Sequence, residues 1–119
     1  MISVDPSGAI APFEQVRSQI ADSIRSGELP EGYRLPSIRQ LAADLRVAAG
    51  TVAKAYTALE AEGLIESSRA RGTRVRGGHA HGTRVREAAK AFVAAADGIT
   101  LDEALGAVRA AWGAAPHGG

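Results

Sequence analysis

The sequence predicts a mainly α-helical chain with one small β-hairpin, in the order helix, helix, helix, hairpin, linker, helix, helix. Three observations lead there. Apolar residues recur at spacings of three and four in five separate segments, so each set falls on one face of a helix. Between the third and fourth segments, two short runs flank a polar loop, the pattern of a two-stranded hairpin. Gly27, Pro30, Gly32, Gly63, Gly77, Gly78 and Gly98 fall at the joints between these pieces.

Residues 1–11 carry Pro6 and Gly8 and no clear period, and read as a mobile lead-in. From Pro12, which suits the first turn of a helix, Phe13, Val16, Ile20 and Ile24 form an apolar stripe, and Gly27 stops it. Ser37 is an N-cap for a second helix whose inner side is Ile38, Leu41, Ala42 and Leu45. After a short turn over Arg46 to Ala48, a third helix turns Val52, Ala55, Tyr56 and Leu59 inward and ends at Gly63. Phe13, Tyr56 and Leu59 are expected in the core. Leu64–Glu66 and Thr73–Arg76 are the two strands, separated by the loop Ser67–Gly72. Alternation puts Arg74 and Arg76 on one face of the second strand and Thr73 and Val75 on the other.

Residues 77–82 read as a linker. In 83–113, Val85, Ala88, Ala89, Phe92, Val93 and Ala96 make one stripe. Leu101, Ala104, Leu105, Val108, Ala111 and Trp112 make a second, with Thr100 as its cap and Asp102 and Glu103 favourably placed against the helix dipole. Residues 114–119 are expected to be a flexible tail. Some thirty residues cannot bury two such stripes against each other, so the leftover apolar surface points to a second copy of the chain. The dimerisation residues expected are Val85, Ala89, Phe92, Val93, Leu101, Leu105, Val108 and Trp112.

Composition narrows the functional classes. The 119 residues contain no cysteine, which removes disulfides, thiol catalysis and thiolate zinc sites. No run approaches the roughly 18 apolar residues of a membrane span, and no basic-then-apolar leader opens the chain, so a cytoplasmic protein is expected. Ser37 has no evident base, no carboxylate pair stands out and no phosphate-binding glycine loop occurs, so no catalytic residue is assigned. His79 and His81 lack a third ligand and His117 lies near the end, so neither a metal nor any other cofactor is expected.

The net charge is only +1, but its distribution is uneven. From Arg34 to Arg86 there are ten basic and four acidic residues, and the flanks are net acidic. Such a band suits a phosphate backbone, although from charge alone a solvated basic face is the better reading. Two close-set helices followed by a two-stranded wing form a DNA-reading arrangement, though the same fold also mediates protein contacts.

The residues go further. Pro12-Phe13-x-Gln15-Val16, Gly27-x-Leu29-x-x-Gly32, Leu35-Pro36-Ser37-x-Arg39-x-Leu41-Ala42 and Leu45-x-Val47 follow in order. Thr51-Val52-x-x-Ala55-Tyr56-x-x-Leu59-x-x-Glu62-Gly63-Leu64-Ile65 and Gly72-Thr73-x-Val75 succeed them. This run, over residues 12–76, resembles the N-terminal domain of the GntR family of bacterial transcription regulators. The short tail, opening Leu101-Asp102-Glu103-Ala104-Leu105, resembles the YtrA subfamily, whose C-terminal region is two dimerising helices. The resemblance implies a winged helix-turn-helix and a repressor that binds an inverted-repeat operator in double-stranded DNA as a homodimer. About 40 residues leave no room for an enclosed effector pocket of some 300 Å³. A small-molecule effector at the dimer interface stays open.

By the same resemblance, Arg39 reaches a base edge, where a bidentate arginine–guanine contact discriminates by roughly 1–3 kcal/mol. The residue types alone also allow a surface ion pair between Arg39 and Asp44. Arg34, Ser37, Ala49, Gly50, Thr51, Lys54, Arg69, Arg71 and Gly72 complete the expected DNA-binding set, with Lys54 on phosphate or simply exposed. The chain departs from the family at Ala48 and Ala49, where Ser-Arg is frequent, at Ala70, where glycine is frequent, and at Arg74, where an aromatic is frequent. These losses imply altered specificity, with Arg69 and Arg71 at the wing tip supplying affinity through a narrow minor groove or its phosphates.

Overall fold

The computed structural model describes residues 2–115. Its order is α1 (Pro12–Arg25), α2 (Ile38–Leu45), α3 (Ala49–Ala61), β1 (Ile65–Ser68), β2 (Gly72–Val75), α4 (Thr83–Ala95) and α5 (Leu101–Ala114). The chain forms two compact units, one up to His81 and one from Gly82.

In the first unit, α1 and α2 each pack on α3 because their apolar stripes meet on it. Val16, Ile20 and Ile24 of α1, Leu41 and Ala42 of α2, and Val52, Ala55, Tyr56 and Leu59 of α3 are buried together with Leu35, Leu64, Ile65 and Val75. Ser37 caps α2 as expected, its Oγ accepting from the Gln40 N–H at 3.1 Å. The turn into α3 passes through Arg46, a non-glycine residue at φ 58°. α3 itself opens on Ala48 with no side-chain cap. An ion-pair group ties its far end to α1: Arg17 bonds Glu14 at 2.6 Å and Glu62 at 3.0 Å, and Arg25 lies 3.8 Å from Glu62. These carboxylates push the Arg17 pKa up, and Arg17 holds the Glu14 carboxyl below its usual value.

The hairpin is tighter than the sequence suggests. Ile65 pairs with Val75 and Ser68 with Gly72, leaving only Arg69–Arg71 between the strands. Ser68 causes this, its Oγ accepting the N–H groups of Ala70 and Arg71 at 3.2 and 3.3 Å. The other edge of β2 is occupied too. Gly32 N–H bonds Val75 O, Val75 N–H bonds Tyr33 O and Leu35 N–H bonds Thr73 O, all within 2.9 Å. The wing is therefore bound to the segment that enters α2.

The lead-in differs from its expectation. Residues 2–10 are held on α1 by two glutamines one turn apart. Gln19 Oε1 accepts Ser3 N–H at 3.0 Å while its Nε2 donates to Ser3 O at 2.7 Å. Gln15 does the same for Asp5, at 2.7 and 2.8 Å, and also donates to Ile10 O. Ile2 and Val4 pack against the core. Side chains of α1 thus hold in place a segment that shows no period of its own.

In the second unit, α4 and α5 have no buried residue. Thr100 caps α5, accepting from Glu103 N–H at 3.1 Å. Between the two helices lies an apolar cleft of about 560 Å³, lined by Val85, Ala89, Phe92, Val93, Leu101, Leu105 and Val108 among others. Val85, Val93, Leu101 and Trp112 are each more than half exposed. α5 runs through Ala114, while His117 and the rest of the expected tail from residue 116 lie outside the described residues. No described helix is long and apolar enough to cross a membrane.

Candidate nucleic-acid interface

The expected site residues fall into two clusters within the first unit. The first joins the starts of α2 and α3. Tyr56, buried in α3, donates its phenolic hydrogen to Pro36 O at 2.7 Å, just before the cap residue Ser37. Burial pushes the Tyr56 pKa up to about 12. Arg39, two residues after Ser37, is exposed. Its alternative as an ion pair with Asp44 does not form: five positions apart on a helix, the two side chains point well away from each other, and Asp44 Oδ1 accepts from Gln40 Nε2 at 2.9 Å.

On α3, Ala49 and Gly50 are exposed and Thr51 is half-buried. The buried positions 52, 55, 56 and 59 set the inner side, so helical spacing turns Gly50, Lys54 and Thr57 outward on one stripe. Thr57, exposed and polar, was not singled out from the sequence, although extending the stripe one turn finds it. A Cβ at Gly50 would meet nothing within 4 Å, so no neighbour in the protein requires glycine there. Lys54 places its Nζ 4.0 Å from the centre of the Phe13 ring. Phe13, expected in the core, is only half-buried and lies outside the buried cluster, with this ammonium over one face of its ring.

The second cluster is the wing. Gly72, at φ 72°, takes the left-handed conformation that favours glycine, and a Cβ there would lie 2.9 Å from Arg34 Nε, so Arg34 would have to move aside. The Arg34 guanidinium thus lies close to the wing backbone at Gly72. Arg74 stands differently from a solvent-facing arginine. Its Nε donates to Arg71 O at 3.0 Å and its Nη1 to Gly32 O at 2.9 Å, so the guanidinium braces the wing. Arg69 and Arg71 remain exposed at the tip. Among the described residues, no ion pair involves Arg34, Arg39, Arg69, Arg71 or Lys54; the acidic partners serve Arg17, Arg25 and Lys90 instead. No group of three potential ligands for a metal occurs among the described residues.

Two helices joined by a tight turn, the second exposing its first turn, with an arginine-tipped hairpin beside them, define a winged helix-turn-helix DNA-binding protein. Residues 12–75 match the family model of bacterial regulatory proteins, gntR family. The chain belongs to the GntR family, and is a DNA-binding transcription regulator rather than an enzyme. It is 39% identical over 106 residues to the HTH-type transcriptional regulator Rv1152 of Mycobacterium tuberculosis, covering 87% of this chain and 88% of that protein. It is 41% identical over 73 residues to the HTH-type transcriptional repressor YtrA of Bacillus subtilis, covering 61% of this chain and 56% of the relative. The solved structure of YtrA from Sulfolobus acidocaldarius, a GntR-family transcription factor, is similar at TM-score 0.60 and 34% identity, covering 81% of this chain and 98% of that one.

Proposed function

We propose that this regulator is a repressor that binds an inverted-repeat operator as a homodimer. In each protomer α3 enters the major groove and the wing lies along the adjacent minor groove. The observation that carries the reading is that Arg34, Arg39, Lys54, Arg69 and Arg71 have no acidic partner, in the segments around an α3 that begins on the exposed Ala49 and Gly50. Cations without acidic partners are what a phosphate backbone neutralises. Ser37, Ala49, Gly50, Thr51 and Gly72 complete the contact surface by letting backbone and small side chains approach. The name of the Bacillus relative supports repression.

The dimer part rests on the apolar faces of α4 and α5, which nothing within the second unit buries. A second copy covers them, and a small apolar effector would compete for the same cleft. The test is selection of bound duplexes from a random pool at about 0.15 M salt, with the mass of the selected complex measured. An enriched inverted repeat carrying two protomers is expected. A single half-site carrying one protomer would remove the dimer, and no enrichment would remove sequence-specific recognition.

A further inference from the structure

Phe13 lies outside every part of the site assigned so far. It is in the first turn of α1, whereas the helix that reads DNA in the proposed function is α3. Yet its ring is where the ammonium of Lys54 rests, 4.0 Å from the centroid. Lys54 is the one basic residue in α3, and it lies on the outward stripe one turn beyond Gly50. Left free, a lysine on an exposed stripe samples many rotamers and loses that freedom on meeting a phosphate.

The nearby acids do not hold it. Glu14, next to Phe13 in the chain, gives both carboxylate oxygens to Arg17, and Glu62 is bonded to Arg17 as well. A carboxylate partner would neutralise Lys54. A ring neither removes the charge nor uses all three N–H donors, since a cation over an aromatic face is attracted by the quadrupole alone.

We propose that Phe13 is a positioning residue for DNA binding: its ring holds the Lys54 ammonium, charged and with donors to spare, where a phosphate of the operator meets α3. The inference rests on the proposed mode of DNA binding. It adds α1 to the interface without any direct contact from Phe13 to DNA. The cost of ordering Lys54 is met in the free protein, so replacing the ring weakens binding even when the lysine remains.

The experiment measures affinity and its salt dependence on the selected operator by fluorescence anisotropy. Phe13→Leu is expected to weaken binding about threefold, the scale of one exposed cation–π contact. Lys54→Met lowers the slope of log K against log salt by about 0.9 per protomer, one phosphate contact. In the Lys54→Met background, Phe13→Leu has no further effect. A trifluorinated phenylalanine at position 13, similar in shape but with a depleted ring face, weakens binding as Phe13→Leu does; this separates the ring's electronics from its packing.

Equal losses from Phe13→Leu with and without Lys54 would overturn the proposal, as would a fluorinated ring that binds like the native one. Either result leaves DNA binding itself intact. If the unsubstituted protein shows no salt-dependent binding to any selected duplex, it is the function reading that fails.

Discussion

The hydroxyl of Tyr56 and the carbonyl of Pro36 are joined by a 2.7 Å hydrogen bond that fixes the middle of α3 to the residue preceding the cap of α2. The helix proposed to enter the groove and the helix start that carries Arg39 are thereby set relative to each other. Tyr56→Phe keeps the ring in the core and removes only this bond. The expected loss is about 1 kcal/mol in thermal or urea unfolding. Burial raises this phenol from 10.0 to about 12, so an unfolded chain releases its proton where the folded one keeps it. Stability falls as pH rises through that window, and Tyr56→Phe abolishes this part of the fall. Identical alkaline profiles for the two proteins would show that the phenol is not so buried.

Gly50→Ala separates folding from recognition. Alanine is favoured over glycine in a helix by up to about 1 kcal/mol, and the added Cβ would meet nothing. The variant is therefore expected to melt at a higher temperature. If DNA approaches α3 as closely as proposed, the same methyl group weakens operator binding. A variant that is more stable and binds as well as the native protein places the DNA elsewhere.

The wing prediction concerns Arg69 and Arg71, exposed at the tip of a three-residue loop. Replacing both with alanine is expected to flatten the salt dependence of binding by about two phosphate contacts per protomer. Arg74→Ala acts through a different quantity. It frees the carbonyls of Arg71 and Gly32, so it lowers stability as well as affinity. An unchanged salt slope after Arg69→Ala and Arg71→Ala would exclude the wing from the interface.

For the tail, Val93→Asp and Leu101→Asp place carboxylates on positions that are 73% and 74% exposed within one chain. Neither change costs the isolated protomer much. Burial against a second copy would become prohibitive. Sedimentation at micromolar concentration is expected to show a monomer for the double variant and a dimer for the native chain. A dimer in both would point to another interface.

Periodic burial was the readable part of this sequence. Val16, Ile20 and Ile24 announce α1 because their spacing matches the helical repeat, and Ser37 announces α2 because its hydroxyl suits a cap. The hairpin showed in its alternation, though Ser68 shortened its loop by a mechanism that polar composition does not reveal. Other features depended on long-range partners. Arg74 reads as a surface charge until the carbonyls of Gly32 and Arg71 are beside it. Phe13 reads as core, yet it lies at the edge of the buried cluster with Lys54 over its ring. The Gly32–Leu35 segment has turn residues and no alternation, so its pairing with β2 was invisible. The resemblance named candidate residues for DNA contact; only the fold separates Arg34, whose guanidinium lies close to Gly72, from Arg69 and Arg71, which are exposed at the wing tip.

The seat of residues 2–10 on α1 bears on where this domain begins. The family match starts at residue 12, but Gln15 and Gln19 spend their carboxamides on the backbone of Asp5 and Ser3. Those bonds are made to main-chain atoms, so the side chains at these two positions are free to vary while the geometry persists. A fragment cut at the apparent boundary would remove Ile2 and Val4 from the outside of the core and take from Gln15 and Gln19 the backbone groups of Asp5 and Ser3. The packed unit therefore begins earlier than the stretch by which it is recognised.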